Sequence, residues 1–170
     1  MRLAADGGFA GPVLDAGCGT GENALHLASL GLPVLGVDVA ETALASARAK
    51  AADRGLEVAF AAADALRLER LGRRFATVLD CGLFHTFAGE ERPGYVASLA
   101  SVTEHDGTLY VLCFRDDGPD PGPHPVGRDE LPAAFNPGTG WKVAAVEPDR
   151  LQTNIHDDGA PAWLATIRRI

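Results

Sequence analysis

Apolar and polar positions alternate along this chain in two rhythms. Short apolar runs ending in an acid recur through its first half. Val13-Leu14 leads to Asp15, Pro33 to Val37 leads to Asp38, Leu56 to Phe60 leads towards Asp64, and Phe75 to Leu79 leads to Asp80. Thr108 to Phe114 is a fifth apolar run. Such runs, bounded by turn residues, predict buried strands. Between them lie stretches with helical spacing. Asn23 to Leu30 follows the first run, and Ala-rich Glu41 to Arg54 is stopped by Gly55. Glu91 to Glu104 precedes the fifth, with Pro93 tolerable in its first turn. Pro119, Pro121, Pro123 and Pro125 mark residues 116–126 as a loop. Arg128 to Phe135 predicts a short helix interrupted by Pro132. Two late strands, Trp141 to Val146 and Trp163 to Ile170, have no helix between them and are separated by turn-rich Asp157-Asp158-Gly159.

Strands alternating with helices predict an α/β fold, a parallel sheet wound on both faces. The late pair makes one strand antiparallel. No repeat or linker divides residues 1–170, so one domain is expected. Ligands in such sheets bind beyond the carboxyl ends of the strands, so Asp15, Asp38, Asp64 and Asp80 should line a single edge.

Composition narrows the partners. With 46% hydrophobic residues the chain has the means to build a core. A formal net charge of −8, without a basic block, argues against nucleic acid and against an anionic membrane surface. No apolar run is long enough to span a bilayer and no signal-peptide pattern opens the chain, so a cytoplasmic location is expected. Cys18, Cys81 and Cys113 suit neither a disulfide framework nor a zinc site and are expected as small buried hydrophobes. Asp116-Asp117 and Asp157-Asp158 are explained by turn chemistry, and no metal is expected.

The chemistry concentrates in Asp15-Ala16-Gly17-Cys18-Gly19-Thr20-Gly21-Glu22. Strand, G-x-G-x-G loop and helix in succession form a cradle for a nucleoside-bearing cofactor, because glycines let the backbone turn tightly and bare its N–H groups. The dinucleotide pattern G-x-G-x-x-G would need glycine where Glu22 stands. Asp15 and Glu22 disfavour a pyrophosphate and favour a cation. S-adenosyl-L-methionine (SAM) carries a sulfonium, an ammonium and ribose hydroxyls that suit a carboxylate. A NAD-type oxidoreductase and a non-catalytic SAM-binding module are the alternatives.

On these residues the chain resembles the class I SAM-dependent methyltransferases. Val13 to Gly21 resembles the family's first motif, Gly36-Val37-Asp38 its second and Ala63-Asp64-Ala65 its third. Leu79 to Phe87 (LDCGLFHTF) is similar to small-molecule members of the thiopurine and mycobacterial benzoquinone type. The resemblance implies a Rossmann-like, doubly wound seven-stranded sheet of order 3-2-1-4-5-7-6 with strand 7 antiparallel. It implies that Gly17, Gly19 and Gly21, with Asp15 and Cys18, approach the methionine part of SAM. Asp38 would hold the ribose hydroxyls beside Val39, Asp64 would take the adenine amino group beside Ala65, and Cys81 and Gly82 would border the sulfonium. Relatives usually carry helices before strand 1; this chain starts almost at strand 1, and a domain without that cap is expected.

His85 is the expected catalytic residue, since imidazole beside the methyl can accept a proton from a small aromatic or heterocyclic acceptor. A packing role for His85 stays open. So do a helix-capping role for Asp38, a turn role for Asp64, a structural role for Asp80 and a solvated position for His124. His26 and His105 are expected to be structural or exposed. Phe84, Phe87 and Phe114 are candidates for an aromatic wall, with core packing the alternative. The absence of an Asp/Asn-Pro-Pro-aromatic motif after strand 4 separates the chain from nucleic-acid amino methyltransferases.

Overall fold

The computed structural model describes residues 3, 7–117, 124–153 and 156–170, with the side chains of 153, 156 and 157 left aside. Pro119, Pro121 and Pro123 of the expected loop lie outside the described residues. Seven strands form one sheet in the order β3-β2-β1-β4-β5-β7-β6. They are β1 (Val13–Ala16), β2 (Val34–Asp38), β3 (Ala59–Ala62), β4 (Phe75–Cys81), β5 (Thr103–Phe114), β6 (Trp141–Thr153) and β7 (His156–Arg169). Strands β1 to β5 pair in parallel, whereas β7 runs antiparallel to both β5 and β6. Among the described residues the helices are α1 (Glu22–Ser29), α2 (Glu41–Arg54), α3 (Glu91–Val102) and α4 (Glu130–Ala134).

Alternation along each strand sorts side chains between two layers. Leu14, Ala16, Val78, Leu109 and Val111 face a core closed by Tyr95, Val96, Leu99 and Val102 of α3 and Leu131 of α4. Val13, Leu79 and Tyr110 face the other layer, with Phe9 and with Ala24 and Leu27 of α1. No helix among the described residues is long and apolar enough to cross a membrane.

Several boundaries depart from the sequence reading, each for a local reason. The third strand starts at Ala59, not Leu56, because Leu56 donates its N–H to Ala51 O beyond the left-handed Gly55 and so completes the α2 cap. Helix α3 stops at Val102; Thr103 hydroxyl donates back to Leu99 O and β5 begins there. Pro132 sits early enough in α4 to be tolerated, as no interior hydrogen bond is lost there. The largest difference is at the end of the chain. Asp158 and Gly159 are not the turn but part of β7, whose pairing runs out through Leu151↔Ala160. A register shift between Leu151 and Thr153 and φ +74 at Gly159 mark a bulge that absorbs the turn-like residues. The β6–β7 arm thus extends past Phe114, where β5 ends. Among the described residues, three 3-10 turns carry no helical period long enough to be seen in sequence: Ala65–Leu71, Phe84–Thr86 and Pro137–Thr139.

Candidate active site

Parallel pairing brings the four acids to one sheet edge. Asp15 lies beside Gly36 and Leu79, Asp38 ends β2 beside Ala62, Asp64 follows β3, and Asp80 lies beside Ala16. They do not share a face. Asp80 points into the α3 layer and bonds Tyr95, whereas Asp15 is on the α1 side with Leu79.

The glycine loop between β1 and α1 divides its labour. A Cβ on Gly17 would meet Leu83 at 2.8 Å, and one on Gly21 would meet Ala47 at 2.8 Å and Phe60 at 2.9 Å. Both glycines therefore serve packing as well as positive φ (+71° and +83°). Gly19, at φ +53°, has nothing within 4 Å of that point. It is the one loop glycine that opens onto space. The expected bare N–H groups are largely spoken for. Gly17 and Cys18 both donate to Val37 O at 2.9 Å, Gly21 donates to Cys18 O, and Gly19 donates to Asp38 Oδ2 at 2.8 Å. The loop is a hydrogen-bonded rim with the acids beside it.

Asp38 holds that rim with one oxygen and accepts Ala40 N–H at 2.8 Å with the other. It is not the cap of α2: that position is Ala40, and Glu41 pairs with Arg48. Each carboxylate oxygen keeps a lone pair for a further donor. Val39 beside it is 73% exposed, a large apolar residue in water next to the rim. Asp64 caps the turn that starts at Ala65, accepting Leu66 N–H at 2.9 Å, and leaves Oδ2 only a long 3.9 Å approach to Arg67.

Asp15 is 1% exposed, and its Oδ2 has no hydrogen-bond partner among the described residues. Burial pushes its carboxyl up to about 7, against the Ala24 backbone N–H, with the charges of Asp80 and Asp38 adding to the rise. Glu22 is spent elsewhere: Lys50 and Arg54 pair with it across the first turn of α1 and hold it below the usual carboxylate range. Cys18 and Cys81 are partly buried thiols pushed up to about 12 by burial, which makes them inert as nucleophiles. Gly82, at φ +92°, turns the chain out of β4 and donates to Leu112 O.

His85 is 5% exposed and its ring lies 4.4 Å from that of Phe114. Its Nδ1 has no partner among the described residues. Burial, aided by the neighbouring charge of His124, lowers the imidazole to about 4, so it is neutral at pH 7. His124 itself is exposed, at φ +52°. Of the candidate aromatic wall, only Phe114 faces His85. Phe84 packs on Phe135, and Phe87 on Tyr95. His26 and His105 are exposed.

Sequence reasoning missed the far wall. Leu151, Ala160 and Ala162 of the β6–β7 arm cluster with Phe114, Cys81 and Leu112. Leu151 Cδ2 and His85 Cε1 converge over Gly82, at 3.6 and 3.7 Å from where its Cβ would lie. Alternating apolar residues at Ala160 and Ala162 were the available signal, masked by Asp-Asp-Gly before them and Pro161 between. A concavity of about 360 Å³ among the described residues is not this site. It lies at the opposite edge, against Gly8, Thr77, His105 and Arg168.

Residues 13–107 match the family described as methyltransferase domain, over half of the chain. The chain belongs to the class I SAM-dependent methyltransferases. This methyltransferase is 37% identical over 167 residues to a 2-heptyl-1-hydroxyquinolin-4(1H)-one methyltransferase of Mycobacteroides abscessus, covering 94% of this chain and 73% of that protein. A structure solved for the conversion of a disulfide bond into a thioacetal group during echinomycin biosynthesis superposes with a TM-score of 0.89 at 35% identity, over 99% of this chain and 79% of that one. The magnesium protoporphyrin IX methyltransferase of Synechocystis PCC 6803, with bound SAM, shares the fold, with a TM-score of 0.76 at 23% identity over 99% of this chain and 75% of that one. Family membership sets aside the oxidoreductase alternative. The cofactor of this methyltransferase is SAM, and the residues present fit it. A buried carboxylate oxygen without a partner, a second carboxylate with lone pairs to spare and an open glycine rim suit a cationic ribonucleoside.

Proposed function

We propose that this small-molecule methyltransferase acts on an acidic hydroxyl of an aromatic or heteroaromatic acceptor. The observation that carries the reading is His85: a buried, neutral imidazole whose Nδ1 has no partner among the described residues, laid against Phe114 just beyond the end of β4. The hydroxyquinolinone in the name of the Mycobacteroides abscessus relative supports the acceptor class.

The residues take roles their chemistry allows. Asp38 accepts from ribose hydroxyls, with Val39 against the adenine face. Asp64 accepts from the adenine amino group beside Ala65. Asp15 meets the ammonium. Gly17, Cys18, Gly19 and Gly21 form the rim under the methionine part, and Cys81 and Gly82 border the sulfur. When bound, SAM supplies a methyl group already activated on sulfur. The protein's remaining task is alignment. Phe114 and Leu151 supply apolar surface beside His85, which accepts the hydroxyl hydrogen to aim its oxygen. A histidine lowered to about 4 is a weak base. Taking a proton from an ordinary phenol (pKa about 10) would cost roughly 8 kcal/mol. An acceptor more acidic than phenol matches this site better, because His85 then orients an oxygen that ionises readily.

The structure linked to disulfide-to-thioacetal conversion favours a second reading, a sulfur acceptor that needs no base. The test is a panel of N-hydroxy heteroaromatics, phenols and aromatic thiols incubated with trideuteromethyl-SAM and analysed by mass spectrometry. Label on the oxygen of acidic hydroxyls, lost in His85→Ala, supports the proposal. Label on thiols alone, unaffected by His85→Ala, replaces it with the sulfur reading.

A further inference from the structure

The turn that carries His85 is held from beneath by a buried pair that no part of the transfer uses. Asp80 and Tyr95 are both 0% exposed. Asp80 Oδ1 accepts the N–H of Leu83 at 2.9 Å and of Phe84 at 3.1 Å, while Oδ2 accepts the Tyr95 hydroxyl at 2.7 Å. Phe84 starts the 3-10 turn Phe84–Thr86, whose next residue is His85. On the far side Arg92, also from α3, donates to Phe87 O at 3.2 Å and stands 4.9 Å over the Phe84 ring. The turn is thus pinned at both ends to α3, and the imidazole projects between the pins onto Phe114.

A carboxylate kept in a dry layer is expensive, and an apolar residue could fill the space at lower cost. What an apolar residue cannot do is accept two consecutive N–H groups and a phenol at once. We propose that Asp80 and Tyr95 are positioning residues for His85, fixing the direction of its ring and so the alignment of the acceptor. This rests on the reading of His85 given above. The bland rival is that the pair only stabilises the fold.

Two variants separate them. Tyr95→Phe leaves one Asp80 oxygen unpaired without changing shape; Asp80→Asn keeps the size and one acceptor oxygen. Both are made in the full chain and compared with wild type in the presence of S-adenosylhomocysteine. The first readout is the histidine Cε1–H titration by NMR. Burial holds His85 near 4 in the wild type. In Tyr95→Phe its midpoint should rise by at least one pH unit as the ring gains water. S-adenosylhomocysteine affinity should stay within twofold. The second readout is kcat on the fastest aromatic hydroxyl of the panel: about tenfold lower in Tyr95→Phe, less reduced in Asp80→Asn. In the double variant Tyr95→Phe/His85→Ala, kcat should fall no further than in His85→Ala alone, because residues acting through one group are not additive. A folded Tyr95→Phe whose His85 titration is unchanged overturns the proposal, as does a full additional loss in the double variant. Should His85→Ala leave kcat intact, the reading of His85 fails instead, and the NMR arm still decides whether the pair holds the ring.

Discussion

Cofactor affinity should depend on pH through Asp15. The carboxyl is buried, lacks a partner at Oδ2 among the described residues and is raised to about 7 in the cofactor-free protein. If its role is to meet a cationic ammonium, only the ionised form binds well. With a pKa of about 7, roughly nine-tenths of the molecules are ionised at pH 8 and roughly one-tenth at pH 6. Apparent affinity should therefore fall about tenfold between those values, or about 1.4 kcal/mol. Binding at pH 7 should release roughly half a proton. Calorimetric titration with S-adenosylhomocysteine, which keeps the ammonium, checks both quantities when repeated in buffers of different ionisation enthalpy. Asp15→Asn is the control. It should bind about tenfold more weakly at pH 8 and show a flatter profile. A wild-type affinity constant to within twofold from pH 6 to pH 8, or an undiminished slope in Asp15→Asn, would refute the reasoning.

The same carboxyl has the opposite effect on stability. Its folded-state pKa is above its unfolded value of 3.8, so the folded state binds the proton more tightly. The cofactor-free protein should gain stability from this group as pH falls from about 7 towards 4, and Asp15→Asn should raise its Tm at pH 8 while weakening cofactor binding. For Asp38→Ala we expect a loss of about 2 kcal/mol in S-adenosylhomocysteine affinity, read by calorimetry, with Asp38→Asn milder because it still accepts from Gly19 or Ala40. Gly21→Ala should cost about 2–3 kcal/mol of folding stability in urea titration, from contact with Ala47 and Phe60 and strain at positive φ. Gly19→Ala, with nothing nearby to strike, should cost only about 1 kcal/mol of stability yet weaken the cofactor more than tenfold, since its methyl fills the open side of the rim.

The parallel half of the fold was legible because β1, β2 and β4 are largely buried runs that reach an acid, and Glu41–Arg54 appears within the expected bounds. Asp15, Asp38 and Asp64 were legible as a group since strand ends in a parallel sheet share an edge whatever the loops do. The side-chain partners were not. Nothing in the sequence distinguishes Gly19, which opens onto space, from Gly17, which is packed under Leu83. That depends on residues 60 or more positions away. The β6–β7 arm was hidden for a related reason. Asp-Asp-Gly and two prolines weaken any strand pattern, and they are tolerated here because Pro148 lies on the edge strand β6 and Gly159 is at a bulge.

Asp80 shows how far an equivalent position can diverge. It ends its apolar run as Asp15 does, one strand away, and only the resemblance to the first motif set Asp15 apart, with a structural role for Asp80 left open. The pleat separates them. Asp15 is level with Leu79 and faces the α1 layer; Asp80, one residue on, faces Tyr95. One buried acid keeps an oxygen without a partner beside the glycine rim. The other spends both oxygens on three donors beneath the turn of His85. A residue that recognises a ligand and a residue that builds the platform for one differ here by a single step along the pleat. Unpaired valence, more than position at the strand end, identifies which is which.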